Sequence, residues 1–434
     1  MLRNLVRSGF RGRIVPVNPK GGELLGLAVS RSLSEVSPAC ELAVIVVRPD
    51  SILEVVREAA ATGHRSLLIL PGGFAEGADE GKARDRELRE LARQHGLTIG
   101  GPNCAGVIDL LDASAPFAAT FLRDMPRGGG VALVSQSGAI AEEVIASSHT
   151  LGIPLGAVVS VGNAMHLGLS EYLAHLAADP GCRAILLYAE SFGDATNFRE
   201  VARKVTARKP VIVLAGGRTP PGRAAAFRHT GSEAFTSKQA EDFCNDCGMV
   251  RAASLRELML AGKAFAAHPD GIGPRVLVLS NSGGPGVLCT DRSALEGLQL
   301  PDLPAALDFR LRAFLPPEAA VANPLDLLAD AREDRFGDTL AAALEHGGET
   351  FDAILMIHVV PFMVDGGVIV ARLAELCRGA RLPILHSMMG TLEHKAEWMG
   401  AMEAAGAPMF DNVEDMAVAA GLLARHRSLR QTFV

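Results

Sequence analysis

Aromatic residues are scarce in this sequence of 434 residues, where Phe, Tyr and Trp together make up 5% of the chain. With a single Trp and two Tyr, the chain offers no aromatic platform on which nucleobases could stack. A formal charge of −7 argues against the broad basic face that phosphate backbones require. These two shortages argue against nucleic acid as a partner.

Long apolar runs are missing too. No stretch reaches the roughly 18 apolar residues expected of a membrane-spanning helix, and the segment MLRNLVRSGF lacks the apolar centre of a secretory signal. Seven scattered cysteines do not fit a disulfide framework. Cys244 and Cys247 form one CxxC, which we interpret as a buried helical pair, with a metal or redox role as the alternative. We therefore predict a cytoplasmic protein without membrane contact.

Three common signatures of chemistry are absent as well. Without GxxxxGK[ST], there is no P-loop for a nucleotide. No GxGxxG follows a strand, which weakens a dehydrogenase hypothesis. The serines at 137 and 282 lack the flanking glycines of a nucleophile elbow, so a hydrolase triad is unsupported.

What the chain does contain is an alternation of short Val, Ile and Leu runs with helical stretches, typical of βαβ units and parallel sheets. We predict an α/β protein of three consecutive doubly wound, Rossmann- or flavodoxin-like domains at residues 1–120, 121–268 and 269–434. Strands are expected at 14–17, 42–47, 66–70, 98–99, 131–134, 157–161, 184–188, 211–214, 249–250, 276–279, 353–357 and 383–385. Helices are expected at 51–62 and 79–95, a linker at 112–130, and a loop-rich stretch at 300–324.

The start of the first domain departs from this pattern. A doubly wound domain normally opens with a strand and a glycine-rich turn into its first helix. This chain opens in an apparent helix at residues 2–8 and continues directly to the next expected strand. Either the start is truncated, or the domain has lost its first strand and its main phosphate cradle.

Two turns are candidates for phosphate binding, because each directly follows a strand and opens a helix. Free backbone N–H groups and the helix dipole form an anion site at such a position. An ordinary capped turn is the alternative for each, although two such turns in successive domains favour phosphate. The turns are Val134-Ser135-Gln136-Ser137-Gly138 and Ser280-Asn281-Ser282-Gly283-Gly284-Pro285-Gly286-Val287.

A histidine and a glutamate complete the candidate site. His229 lies in a segment rich in Gly, Ala and Pro after a strand, so a loop position is expected. Glu190 follows the strand at 184–188, at the carboxyl edge where parallel sheets bind ligands. A carboxylate there could fix the tautomer of an imidazole. A surface histidine and a solvated rim glutamate are the alternatives.

The order of these motifs resembles the α subunit of the NDP-forming acyl-CoA synthetases, the acetate–CoA ligase (ADP-forming) relatives of succinyl-CoA synthetase. Glu190 matches the position of that family's histidine-supporting glutamate. The matching motifs are Val15-Pro-Val-Asn-Pro-Lys20, Pro71-Gly-Gly-Phe74, Gly101-Pro-Asn-Cys104, Ser135-Gln-Ser-Gly138, Gly162-Asn163, His229-Thr-Gly231, Ser282-Gly-Gly-Pro-Gly286 and Asn323-Pro-Leu-Asp326.

The resemblance implies a phosphoryl relay. Acyl-CoA and phosphate would give an acyl phosphate, whose phosphoryl group moves to His229 and then to ADP or GDP. Glu190 would orient the imidazole. Phosphate would be bound at Ser135, Gln136, Ser137, Gly138, Ser282, Gly283, Gly284 and Gly286, and coenzyme A at Lys20, Leu70, Pro71, Gly72 and Asn103.

The resemblance also implies partners. The family places ATP or GTP and Mg²⁺ on an ATP-grasp domain, so a β subunit is expected beside this chain, together with a small carboxylic acid or its acyl-CoA. No metal site is expected on this chain, and an oligomer is expected. Residues 216–222 would serve as a hinge for the histidine segment. Because the first glycine turn is missing, the alternative is a non-catalytic CoA-binding or regulatory relative.

Overall fold

The computed structural model describes residues 1–77, 79–230, 235–360, 365–390 and 394–432, and of residues 229 and 230 the backbone alone. The chain divides into two compact units. The N-terminal unit comprises Met1–Ser147 and Pro154–Cys247, and the C-terminal unit comprises Ser148–Ile153 and Gly248–Val434. The predicted domain boundaries at residues 120 and 268 stay a prediction.

The N-terminal unit is built from short strands and the helices between them. Its helices are α1 (Leu2–Arg7), α2 (Ile52–Ala61), α3 (Asp79–His95), α4 (Gly138–Leu151), α5 (Leu169–Ala178), α6 (Ala195–Thr206), α7 (Pro220–Thr230) and α8 (Ser237–Asp246). Its strands are β1 (Glu23–Leu24), β2 (Leu27–Ala28), β3 (Leu42–Ile45), β4 (Ser66–Ile69), β5 (Thr98–Gly100), β6 (Gly106–Asp109), β7 (Phe117–Thr120), β8 (Val131–Ser135), β9 (Leu155–Ser160), β10 (Ala184–Ala189) and β11 (Val211–Ala215).

These strands form two main sheets and a small hairpin, in which β1 pairs with β2. Strands β3, β4 and β5 form a parallel sheet in that order. The other sheet runs β11–β10–β8–β9–β6–β7, and its first four strands are parallel. Every residue of β8 and β9 is buried, which explains their uninterrupted apolar sequences.

The C-terminal unit has one fully parallel sheet, with the strand order β14–β13–β15–β16–β17. Its core lies between this sheet and helices that include α12 and α13. The strands of this part of the chain are β12 (Val250–Arg251), β13 (Val276–Ser280), β14 (Leu325–Asp326), β15 (Ala353–Val359), β16 (Ile384–Met389) and β17 (Met409–Phe410). The helices are α9 (Leu255–Ala267), α10 (Gly283–Leu295), α11 (Ala305–Arg312), α12 (Glu333–His346), α13 (Gly366–Cys377), α14 (Lys395–Ala404) and α15 (Val413–Thr432).

The predicted α/β class with parallel sheets is confirmed, but several local predictions are wrong. The expected strand at 14–17 is reduced to one isolated bridge between Val17 and Ser30, because the prolines at 16 and 19 cannot donate to a ladder. The expected linker at 112–130 contains β7, which makes the sheet partly antiparallel through β6 and β7. The stretch at 300–324 contains α11.

Cys244 and Cys247 are both fully buried, the first in α8 and the second at its end. Burial raises the pKa of the Cys247 thiol to about 11, which keeps it protonated and poorly nucleophilic at neutral pH. The interpretation as a buried helical pair is confirmed. In the described residues, no helix combines the length and the apolar composition needed to cross a membrane.

Candidate functional site

The first predicted phosphate turn connects β8 to α4, and hydrogen bonds of its own serines hold it in shape. The Ser135 hydroxyl donates to the Ser137 carbonyl at 2.7 Å and accepts from the Ser137 N–H at 3.1 Å. The Ser137 hydroxyl in turn accepts from the N–H of Ile140 at 3.3 Å. These bonds give the turn a fixed shape at the start of α4, where helical N–H groups lack intrahelical partners.

The side chain of Gln136 ties this turn to the end of β10. Its Oε1 accepts from the N–H of Glu190 at 2.6 Å and from that of Ser191 at 3.1 Å. Its Nε2 donates to the Ser191 carbonyl at 2.8 Å. The amide of Gln136 therefore binds main chain, and it fixes the backbone from which Glu190 projects.

Glu190 lies directly after β10 and lines a pocket of about 70 Å³. The hydroxyl of Tyr188 donates to Glu190 Oε1 at 3.2 Å. Burial, followed by the charge of Glu190, raises the pKa of Tyr188 to about 12. The pocket opens at the carboxyl ends of β10 and β11, and its lining includes Phe192 and Phe235. This is the edge at which the sequence predicted a ligand.

His229 is not on a loop, contrary to the sequence prediction. Its backbone lies in the last turn of α7, while its side chain falls outside the described part of the structure, as does all of Gly231. Helix α7 begins at Pro220, so the second half of the expected hinge at 216–222 is helical. Proline suits this first helical position, since its missing N–H would lack a helical partner there anyway.

The second predicted phosphate turn has the same construction in the C-terminal unit. The Ser280 hydroxyl donates to the Ser282 carbonyl at 2.8 Å and accepts from the Ser282 N–H at 3.0 Å. Asn281 occupies the position equivalent to Gln136. Its Nδ2 donates to the Val359 carbonyl and its Oδ1 accepts from the Val359 N–H, each at 2.8 Å. The position that carries Glu190 in one unit thus carries Val359 in the other.

Gly283, Gly284 and Gly286 form the first residues of α10, and Ser282 precedes them. Gly284 is exposed, and a methyl group added there would meet no atom within 4 Å. The backbone of this turn is therefore open to a ligand. The sequence placed Asn281 in this motif but predicted no role for it, although Ser-Gln-Ser-Gly and Ser-Asn-Ser-Gly after two buried strands signal the shared construction.

Four of the five predicted CoA residues meet at the carboxyl ends of β4 and β5. Leu70 and Pro71 follow β4, and the Asn103 N–H donates to the Pro71 carbonyl at 3.0 Å. A Cβ on Gly72 would come within 2.8 Å of Glu76 Oε1 and 2.9 Å of Asn103 Oδ1, so a larger residue there would displace these two side chains. Among the described hydrogen bonds, Lys20 makes none to these four residues. Its backbone N–H donates to the side-chain oxygen of Asn18 at 3.0 Å.

Two further residues join this loop that the sequence analysis did not assign to the site. Glu76 accepts from the N–H of Gly73 at 2.5 Å and from the amide of Asn163, and Asn163 Oδ1 accepts from Asn103 at 3.2 Å. Burial raises the pKa of Glu76, but the hydrogen bonds from Asn163 and from backbone N–H groups outweigh it, so the pKa lies below its ordinary value. The signal was the acidic residue shortly after Gly-Gly-Phe.

Three family profiles match successive parts of the chain. They are the CoA binding domain at residues 1–109, the succinyl-CoA ligase like flavodoxin domain at 128–265 and the Ligase-CoA domain at 276–427. Together they cover the phosphate turns, Glu190 and the cluster around Asn103 described above.

Curated relatives and solved structures agree with these profiles. The chain is 34% identical to the alpha subunit of acetate–CoA ligase [ADP-forming] II of Pyrococcus furiosus, over 94% of this chain and 89% of that protein. It is 30% identical to the 4-hydroxybutyrate–CoA ligase [ADP-forming] of Nitrosopumilus maritimus, over 79% of this chain and 49% of that protein.

Among solved structures, the chain is similar to the dinucleotide-forming acetyl-coenzyme A synthetase 1 of Ca. Korarchaeum cryptofilum in complex with phosphate and ADP. The TM-score is 0.90 at 31% identity, covering 99% of this chain and 92% of that chain. This agreement extends over nearly the full length and includes both units. The chain belongs to the family of the alpha subunits of the ADP-forming acetate–CoA ligases.

Proposed function

We propose that this chain catalyses the interconversion of acyl-CoA, NDP and phosphate with carboxylic acid, CoA and NTP, through a phosphohistidine on His229. The observation that carries the proposal is the Gln136 bridge, which joins a helix-start anion turn to the backbone of Glu190 within one unit. Helix α7, which bears His229, belongs to the same unit.

The relay has three balanced steps. Phosphate attacks the thioester carbonyl, the carbon–sulfur bond breaks, and CoA leaves as acyl phosphate forms. The imidazole of His229 then attacks phosphorus, and the carboxylate leaves. Finally a terminal oxygen of ADP or GDP attacks the phosphohistidine, which gives NTP and restores the imidazole. Imidazole suits this role because it is nucleophilic when neutral and is a good leaving group when protonated.

Each group of the proposed site has a physical task. Phosphohistidine carries about two negative charges, and the N–H groups at the start of α4 supply donors and a favourable dipole of roughly 0.3–2 kcal/mol. Ser135 and Ser137 hold that turn in shape. Glu190 would accept from the second ring nitrogen of His229 and stabilise the charged imidazole. The turn of Ser282 to Gly286 is proposed as a second phosphate site.

Coenzyme A is proposed to bind at Leu70, Pro71, Gly72 and Asn103, with Lys20 added from the sequence motif. The loop suits such a ligand because it lies at the carboxyl edge of a parallel sheet and the Asn103 side chain there is exposed. The Pyrococcus relatives are named as alpha subunits, which supports a separate partner. We propose that this partner is an ATP-grasp β subunit that binds the nucleotide and Mg²⁺.

Three wider proposals complete this assignment. The relatives are named for acetate and 4-hydroxybutyrate, which supports a small carboxylic acid as the substrate class. We also propose domains at residues 1–120, 121–268 and 269–434 for CoA binding, the phosphohistidine and the Ligase-CoA function. An oligomer in the cytoplasm is the setting that fits these roles.

The test is phosphorylation of His229. The chain is mixed with a cognate β subunit, Mg²⁺ and ATP labelled in its γ-phosphate, and the label should be acid-labile and alkali-stable. The His229→Ala variant should take none, while His175→Ala, which removes an exposed histidine of α5, should be labelled like the wild type. An unlabelled wild type, or label that persists in His229→Ala, would refute the relay.

A second experiment addresses the substrate and separates a catalytic subunit from a CoA-binding relative without turnover. The same mixture is screened with short carboxylic acids for CoA-dependent consumption of ATP. Turnover with one acid, abolished in His229→Ala, supports the proposal. Tight CoA binding without turnover of any acid supports the regulatory alternative.

A further inference from the structure

We propose that Tyr188 is a positioning residue for Glu190 and that Gly216 keeps open the space that this pair occupies. The inference rests on the proposed function, because it takes Glu190 as the group that supports His229. It gives both residues a role beside Glu190 that neither the motifs nor the comparisons with relatives assign.

The side chains of Tyr188 and Glu190 meet at the carboxyl end of β10, where Glu190 directly follows the strand. The phenol donates to Glu190 Oε1 at 3.2 Å. Because burial and the neighbouring carboxylate raise the pKa of Tyr188 to about 12, its hydroxyl keeps its proton throughout the neutral range. The phenol is therefore a constant hydrogen-bond donor to this carboxylate.

The contact adds something that the Gln136 bridge does not provide. Gln136 binds the N–H groups of Glu190 and Ser191, so it fixes main chain at the end of β10. The hydrogen bond from Tyr188 acts on the Glu190 carboxylate itself. It restricts the torsions of that side chain, which is the requirement for aiming an oxygen at an imidazole.

Gly216 borders the pair from the neighbouring strand. It follows β11, whose Ala215 pairs with Ala189, and its N–H donates to the Ala189 carbonyl at 2.8 Å. A Cβ at Gly216 would lie 3.3 Å from the Glu190 Cγ and 3.4 Å from the Tyr188 hydroxyl. A methyl group here would therefore press on the Glu190 side chain and touch the Tyr188 hydroxyl.

The first test measures phosphohistidine formation in the complete mixture of chain, β subunit, Mg²⁺ and labelled ATP. Tyr188→Phe should lower the maximal labelling rate about tenfold or more, as loss of a hydrogen bond to a charged group does, and leave the KM for ATP unchanged. Gly216→Ala should act in the same direction. The control is Tyr172→Phe, at the other tyrosine, which should stay within about twofold of the wild type. Labelling of Tyr188→Phe at the wild-type rate would overturn the inference.

The second test detects the contact itself and needs no turnover. With two tyrosines in the chain, 3-fluorotyrosine gives two ¹⁹F resonances, and Tyr172→Phe assigns them. Glu190→Gln removes the charge that Tyr188 faces, so it should shift the Tyr188 resonance and leave that of Tyr172 in place. An unchanged Tyr188 resonance would overturn the inference.

The two failures are distinguishable. If the wild type takes no label, the proposed function is refuted, and with it the catalytic meaning of the contact. In that case the spectrum of Glu190→Gln still decides whether Tyr188 and Glu190 interact. If the wild type is labelled and Tyr188→Phe is labelled equally fast, the positioning role alone is refuted.

Discussion

Two buried histidines predict that the C-terminal unit loses stability in mild acid. His358 on β15 and His386 on β16 are fully buried, with ring centroids 6.4 Å apart and nearly parallel planes. Among the described residues, none of their ring nitrogens has a hydrogen-bond partner. The ring of Phe336 meets His358 edge-on at 5.1 Å. Protonation of either imidazole is therefore unfavourable in the folded protein.

The magnitude follows from proton linkage. Burial lowers the pKa of His358 from 6.5 to about 4. Burial, followed by the charge of His358, lowers the pKa of His386 from 6.5 to about 3. Because the folded pKa values lie below the unfolded ones, the unfolded chain binds more protons, and the stability present above pH 6.5 is lost as the pH falls. Each histidine should remove about 2 kcal/mol from the free energy of unfolding between pH 7 and pH 5.

The assay is urea unfolding at pH 7 and pH 5, followed by fluorescence of Trp398. This is the single tryptophan, and it packs against the core of the same unit. His386→Leu should lose about 2 kcal/mol less than the wild type over this interval, and at pH 7 it should be at least as stable, because it removes unpaired polar atoms. His175→Ala, an exposed change, serves as the control. Equal losses in wild type and His386→Leu would refute the reasoning.

Three further predictions concern other contacts. Glu403→Gln removes the carboxylate that faces the buried Lys263 ammonium at 2.7 Å. The lysine keeps its hydrogen bond to the Leu151 carbonyl but loses its opposite charge, which should cost about 3 kcal/mol in urea unfolding, whereas the double variant Lys263→Met/Glu403→Leu should recover most of it. Asn163→Ala should raise the Kd for CoA severalfold in calorimetry, while Asn197→Ala, an exposed amide on α6, should not. Gln136→Ala removes three hydrogen bonds and should lower the free energy of unfolding by about 3 kcal/mol, and an unchanged midpoint would argue against the bridge.

Buried parallel strands were the most predictable part of the fold. Strands β8, β10 and β13 are apolar runs that lie within a residue or two of the predicted bounds, because both faces of each strand are covered. The strands β6 and β7 were missed. They are short, and they combine Gly, Ala and Thr with few large apolar residues, so they carry little periodic signal.

The site was predictable as a set of residue types, but its connections were not. Ser135 lies opposite Tyr188 because of the register between β8 and β10, and the sequence does not reveal that register. The contact between the Gln136 amide and the backbone of Glu190 therefore could not be predicted. The position of His229 was misjudged for a different reason. A segment rich in Gly, Ala and Pro was interpreted as a loop, whereas proline in a first turn followed by an alanine run favours a helix.

The doubled turn has a consequence for the division of labour along the chain. The same arrangement of serine, side-chain amide and helix start occurs twice. In one copy the amide oxygen accepts a hydrogen bond from the N–H of Glu190, and in the other it accepts one from the N–H of Val359. A valine side chain offers no carboxylate with which to orient an imidazole. Under the proposed function, the copy with Glu190 supports the phosphohistidine, and the copy with Val359 has no group at the matching position that could do so.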